Sequence, residues 1–315
     1  PMRRVDGTER GAGQWERVTW DEAIAEIAQK MQDTIDQYGP KAIAFDFGTG
    51  NYGEIQGQTG IFNRLGGMLG VSKPAGMNDL STGYGIDRVL GTGLMYFANE
   101  AKSVLDSSHI FIWGSNPVHS TPQNWRWMQR AKEQGTKIIT IDPVKSATAH
   151  KSDEYFAIKP TTDGYLALAM ANYIVDNHLE DEEYLRAKTV APFLVKEDGT
   201  YLRMSDVGVA PTEGPVSRTT GKPTVIDPEV VWDEGAGTYG ASGAVASPAI
   251  HGSFEVNGIP DKTTLDVVLD GIREYTVDRA VEVCDLPKEK IIEVAETYAT
   301  NKPAGICSYQ GVGHH

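Results

Sequence analysis

Cysteine is nearly absent from this sequence: Cys284 and Cys307 are the only two. Two thiols in separate apolar contexts make neither a disulfide framework nor a cysteine-ligated metal cluster, so each is expected to be a buried free thiol. Basic residues are also scarce, with 29 Lys and Arg against 43 Asp and Glu and a formal net charge of −14. A nucleic-acid binder needs clustered cations to neutralise phosphates, and this balance argues against one. No run is long and apolar enough to span a bilayer, and the opening residues carry no signal-peptide pattern. The histidines are scattered, and His314-His315 has no spaced partner for zinc. No nucleophile–base pairing recommends a hydrolase. What is left is a globular chain, 40% hydrophobic and 23% charged, whose 315 residues suffice for more than one core.

The most informative stretch runs over 109–163. Residues 109–113 are apolar and β-branched and stop at Gly114-Ser115-Asn116-Pro117, where a buried strand gives way to a loop. Thr121 is placed as an N-cap and Pro122 at the first helical position of a helix that carries Trp125, Met128 and Ala131 on one face and ends at Gly135. A second buried strand is predicted over 137–141, stopping at Asp142-Pro143. The three elements form a βαβ unit with parallel neighbouring strands. Ligands of such sheets lie beyond the carboxyl ends of the strands, which sets 114–119 beside 142–145 on one rim. Free N–H groups at the start of the helix after Pro117 can hold a phosphate. The Asp142 carboxylate is placed like the acid that grips ribose hydroxyls, although no G-x-G-x-x-G nicotinamide fingerprint occurs. The plain alternative is a tidy Pro-containing turn and a solvated Asp, and the local pattern leaves both open.

Around this unit the chain alternates in the same manner. Thr19-Trp20-Asp21-Glu22 is a capping box, and Ala23, Ile24, Ile27, Ala28, Met31 and Ile35 recur at helical spacing up to Tyr38-Gly39-Pro40. A strand is predicted over 41–47, and its carboxyl-end loop over 48–53 sets Asn51 between glycines that permit close backbone approach to a ligand. Helices are predicted over 58–69 and, short and amphipathic, between 99 and 108. After Asp163 a helix carries a core stripe of Leu166, Met170, Tyr173 and Ile174. Residues 205–258 turn to Gly, Ser, Thr, Pro and Ala, with short strands expected at 230–233 and 252–256. Three helices follow, over 263–274, from 276, and over 287–300, then a strand from 304 that ends in the turn Gly311-Val312-Gly313.

Taken together, Trp113-Gly114-Ser115-Asn116-Pro117, the segment Gly-Thr-Lys-Ile-Ile-Thr-Ile-Asp-Pro at 135–143, Ser-Ala-Thr-Ala-His-Lys-Ser-Asp at 146–153, and Ile-Lys-Pro-Thr-Thr-Asp-Gly-Tyr at 158–165 resemble the catalytic subunit of the dimethyl sulfoxide reductase family of molybdopterin oxidoreductases. The resemblance covers nearly the whole chain outside 205–258. It implies that these segments bind one of two pyranopterin guanine dinucleotides chelating molybdenum or tungsten. Gly114, Ser115, Asn116 and Pro117 would line the pyrophosphate and pterin, with His119 in the same loop. Asp142 and Pro143 would lie at the guanosine, with Lys145 a cofactor-binding residue on the same rim, and Thr162 and Asp163 at the guanine edge. Asn51, Gly311 and Gly313 would face the cofactor from other loops. Thr161 departs from the pattern, standing where the family usually has glycine. The metal's protein ligand comes from 76–83: Asp79-Leu80 resembles the aspartate branch and Ser81-Thr82-Gly83 the serine branch. Asp79 is favoured because a carboxylate is already ionised at neutral pH, although a plain helix cap explains it too.

The resemblance further implies two doubly wound α/β domains, the central one (76–204) inserted in a discontinuous first one (1–75 and 259–315), with an irregular excursion over 205–258. The strand from 304 would rejoin the sheet begun at 41–47. The opening Pro1-Met2-Arg3-Arg4 resembles a segment that follows the family's [4Fe-4S] cysteine motif, so the chain is expected to be an internal fragment, inactive alone. The expected cofactor is molybdenum or tungsten bis(molybdopterin guanine dinucleotide), and the chemistry two-electron oxygen-atom transfer or (de)hydroxylation of a small molecule. An iron–sulfur electron-transfer subunit is the expected partner, and an exported, periplasmic or cell-envelope location is favoured over the cytoplasm. The competing reading is a non-redox nucleotide-binding α/β module.

Overall fold

The structure is a computed structural model that describes residues 1–45, 62–72, 100–308 and 310–313, with Gly85 and Val89. The expected loop at 48–53 with Asn51, the ligand stretch 76–83 with Asp79 and Ser81, and His314-His315 lie outside the described residues. The chain divides into two compact units, Pro1–Leu80 and Ser81–His315.

In the first unit, strands β1 (Met2–Arg4) and β2 (Trp15–Arg17) form an antiparallel pair that the sequence did not announce. Helix α1 (Trp20–Tyr38) starts at the capping box: the Glu22 amide donates to Thr19 Oγ1 at 3.2 Å, and the Thr19 amide donates to Glu22 Oε2 at 2.7 Å. The strand expected from 41 is corrected in its described part. Pro40, with its fixed φ, opens a 3-10 turn over Pro40–Ala42, and only Ala44 makes a parallel bridge, to Ser72. Helix α2 (Phe62–Leu69) leads the chain to the Ser72 side of that bridge.

The second unit is built on a parallel four-stranded sheet. Its strands β3 (His109–Trp113), β4 (Lys137–Ile141) and β5 (Glu154–Phe156) lie side by side in sequence order. A short turn α3 (Pro117–Ser120) and helix α4 (Pro122–Glu133) cross from β3 to β4, and α5 (Ala147–Lys151) from β4 to β5. Pro122 opens α4 as predicted, but Thr121 makes no side-chain cap bond. Both faces are covered at the central strands β3 and β4, which is why these are buried almost throughout instead of alternating. On one face Ile110, Ile112 and Ile138 pack with Trp125, Met128 and Ala131 of α4. On the other, Phe111, Trp113, Ile139 and Ile141 meet Leu166 and Met170 of α6 (Asp163–Asp176), with further helices described below. Phe111 and Ile138 are sealed from solvent, and each such side chain contributes about 1.5–3 kcal/mol of burial.

The region after α7 (Glu182–Lys188) is more ordered than its composition suggested. β6 (Leu194–Lys196) joins the hairpin β11 (Ser253–Val256) and β12 (Ile259–Thr263). Between them run two more hairpins, β7 (Thr212–Val216) with β8 (Pro223–Ile226) and β9 (Val230–Asp233) with β10 (Thr238–Ala241). The region has a small core of its own, in which Trp232 stacks on Phe254 with ring centroids 4.5 Å apart. Helices α8 (Thr264–Ile272), α9 (Val277–Cys284) and α10 (Lys288–Thr300) follow, and the last two complete the second face of the parallel sheet.

The final strand, β13 (Ala304–Ser308), joins the parallel sheet. It is paired in parallel with β3 over five residue pairs, from Ala304 with His109 to Ser308 with Trp113. β13 and the helices before it fall in the same compact unit as that sheet. Backbone hydrogen bonds decide this, because an apolar β-branched run carries no mark of which edge it will join. A terminal turn, α11 (Gln310–Gly313), follows. Cys284 is buried, whereas Cys307 is only partly so, and both are free.

Candidate functional site

The carboxyl ends of β3, β4, β5 and β13 form one rim, and the predicted residues 114–117, 142–145, 162–163 and 311 lie along it. Gly114 turns the chain out of β3 at φ 56° while its amide donates to Ile141 O at 2.9 Å. A Cβ on Gly114 would lie 2.9 Å from both Val312 Cγ2 and Val312 N, and one on Gly311 would overlap the Gly114 carbonyl. The two loops thus meet backbone to backbone, a contact only glycine permits. Gly313 ends the same terminal turn.

Asn116 does not offer its carbonyl oxygen to a ligand. Asn116 Oδ1 accepts from Thr148 Oγ1 at 2.7 Å and from the Thr148 amide at 3.3 Å, and Thr148 Oγ1 in turn accepts from the Val118 amide at 3.2 Å. Those bonds clasp the loop after β3 to the helix after β4. The clasp leaves the amides of Ser115 and Asn116 without a hydrogen bond among the described residues. Ser115 and Pro117 are buried, and His119 is exposed.

Asp142 stands at the end of the neighbouring strand, its own amide donating to Phe156 O at 3.1 Å. Its Oδ1 accepts from the Val144 amide at 2.8 Å, an Asx turn that fixes the carboxylate and leaves the other oxygen free among the described residues. Burial pushes the Asp142 carboxyl up from the ordinary range, and the nearby Asp163 adds to this. Pro143 and Lys145 are exposed, the Lys145 ammonium lying 5.9 Å from the Tyr155 ring centroid. Burial and Asp142 together raise the Tyr155 phenol.

After β5, Thr161 sits in the left-handed region at φ 69°, where a β-branched residue is strained and glycine is not. This is the position at which the resembling family usually has glycine. Thr162 Oγ1 donates to Lys159 O at 2.7 Å, and Thr162 O accepts from Cys284 Sγ at 3.5 Å. Asp163, at the start of α6, accepts from Trp113 Nε1 at 2.6 Å. Sequence reasoning missed Thr148, Tyr155 and the role of Trp113. For Trp113 a signal existed, because an indole N–H at the end of a buried strand needs an acceptor.

Comparison with known proteins decides the family. The model of the molybdopterin oxidoreductase family matches residues 1–301. The chain belongs to that family. A Halobacterium salinarum protein provisionally named as the catalytic subunit of a dimethyl sulfoxide reductase is 32% identical over all of the chain and 37% of its own length. The dimethylsulfide dehydrogenase alpha subunit of Rhodovulum sulfidophilum is 28% identical over all of the chain and 34% of its own. The perchlorate reductase alpha subunit of Dechloromonas aromatica is 28% identical over all of the chain and 36% of its own. The chain thus spans roughly a third of these relatives. Acetylene hydratase from Pelobacter acetylenicus shares the fold, with TM-score 0.54 at 21% identity over 99% of this chain and 32% of that one. The mixed α/β class with a parallel sheet and the resemblance to dimethyl sulfoxide reductases are both borne out.

A molybdopterin oxidoreductase needs a molybdopterin cofactor, and the polar groups on the rim suit an anionic, hydroxyl-bearing ligand. Two amides without a partner among the described residues suit a phosphate, and a carboxylate oxygen unengaged among them suits a hydroxyl. No group of three His, Cys, Asp or Glu side chains that could hold a metal ion occurs among the described residues. No described helix is long and apolar enough to cross a membrane.

Proposed function

We propose that this molybdopterin oxidoreductase chain is the part of a catalytic subunit that grips one guanine dinucleotide of a bis(molybdopterin guanine dinucleotide) cofactor. The observation that carries the reading is that the 115–116 amides, unpaired among the described residues, lie with Asp142 and Asp163 on one rim of a parallel sheet. Molybdenum or tungsten between two pterins supplies two-electron chemistry when bound, used for oxygen-atom transfer or for (de)hydroxylation of a small substrate. The residues of this chain bind and orient. The amides of Ser115 and Asn116 take the pyrophosphate, with Lys145 on the same rim to add charge. Asp142 holds the ribose hydroxyls, and Asp163 with Thr162 meets the guanine edge. Asn116 and Thr148 keep the phosphate loop registered against Asp142.

Several finer points belong to the same proposal. Helices on both faces of the sheet support a doubly wound domain. Asp79 is proposed as the metal ligand, with Ser81 the alternative. The electron route is proposed to run through a [4Fe-4S] cluster to an iron–sulfur partner subunit. Relatives named as alpha subunits support the partner. An exported location is proposed from the family resemblance. The test is metal and pterin analysis of the full-length protein. Stoichiometric molybdenum or tungsten with fluorescent oxidised pterin is the expected result. Active protein that contains neither overturns the proposal in favour of a non-redox nucleotide module.

A further inference from the structure

Trp113 closes β3 with its indole in the core, only 7% exposed, and its N–H reaches Asp163 Oδ1 at 2.6 Å. Asp163 is itself 8% exposed. Its second oxygen accepts no hydrogen bond among the described residues and is not among the buried side-chain atoms sealed away without a partner. A carboxylate turns easily about its last torsion, whose wells are broad, so a bond to one oxygen decides where the other points. In a buried setting that bond is charge-assisted and strong.

We propose that Trp113 is a positioning residue that sets the base specificity of the rim, pinning one oxygen of Asp163 so that the other presents a fixed acceptor to a guanine-type edge. The inference rests on the nucleotide reading above and adds a residue to it. An ionised carboxylate only accepts hydrogen bonds, so it suits a purine edge with adjacent ring and exocyclic N–H donors. Adenine offers a ring acceptor there and is refused. Hypoxanthine keeps the ring donor but lacks the exocyclic amine. A pinned carboxylate distinguishes it from guanine, whereas a freely turning one does so poorly.

The test titrates the chain calorimetrically with guanosine 5′-diphosphate and inosine 5′-diphosphate. The wild type is expected to favour the guanosine probe. Trp113→Phe keeps the apolar ring and removes the N–H, and its preference should fall about tenfold while inosine diphosphate binding changes little. If Trp113→Phe retains the full preference, the role of Trp113 is overturned and the nucleotide reading stands. If the wild type binds neither probe, the nucleotide reading fails and takes this inference with it. Should the Phe variant not fold, the indole N–H resonance of Trp113 decides. It should move upfield and exchange faster in Asp163→Asn, and an unchanged resonance overturns the proposal.

Discussion

Replacing Asp261 by Asn should stabilise the small β core, and only above mildly acidic pH. Asp261 lies on β12 on the same face as Ile259 and Thr263, opposite Phe254 and Lys196 on the flanking strands. It is 5% exposed, and neither carboxylate oxygen has a hydrogen-bond partner among the described residues. Lys196, opposite it on β6, is held by Asp206 at 3.2 Å. Burial pushes the Asp261 carboxyl up from 3.8 to about 6, against the pull of Lys196. The folded state therefore holds the proton more tightly than the unfolded chain, so stability is lost as pH rises from about 4 through about 6. A rise of that size corresponds to about 3 kcal/mol, lost in full above pH ~7. An Asn side chain is as poorly partnered as the protonated acid but never charges. The Asn variant should match the wild type near pH 4 and exceed it by up to about 3 kcal/mol at about pH 8. Amide hydrogen exchange of 253–256 and 259–263, corrected for intrinsic rates, reads the local opening energy at both pH values. A difference between the two proteins that does not change with pH would refute the reasoning.

Thr161→Gly should raise stability by about 0.5–1 kcal/mol, the relief of a left-handed β-branched residue less the added freedom of the unfolded glycine; a lower urea midpoint would contradict it. Gly311→Ala should cost about 1–3 kcal/mol and weaken guanosine diphosphate binding, because its Cβ meets the Gly114 backbone; calorimetry and thermal unfolding check both parts. Thr148→Val removes the hydroxyl that serves both Asn116 and Val118, and should lower nucleotide affinity more than stability, with Thr148→Ser restoring it. Asp142→Asn should lose affinity for guanosine diphosphate but much less for a 2′,3′-dideoxy analogue, since only the former has hydroxyls to hold.

Much of the rim could be read along the chain. A β-branched run such as 109–113 followed by Gly114 and Pro117 is a strand end whatever surrounds it, since local sterics impose the turn. The helices opened by Thr19, Thr276 and Pro287 start where those residues place them, because capping acts within four residues. Composition misled only in part for 205–258: strands at 230–233 and 253–256 stand where they were expected, whereas β7, β8 and β10 were not foreseen, because short strands bury little and show weak periodicity.

Other features have no local cause. Nothing in Asn116 says that its carbonyl oxygen is spent on Thr148, thirty-two residues on, or that Asp163 will receive the Trp113 N–H from fifty residues away. Nothing in 304–308 says that it will pair with β3. Propensity, capping and turn chemistry are short-ranged, and they settled which segments become strands and helices and which residues stand at their ends. Pairing, register and the sharing of polar groups depend on which distant surfaces pack together. These were decided only when the sheet closed and brought Gly311 against Gly114.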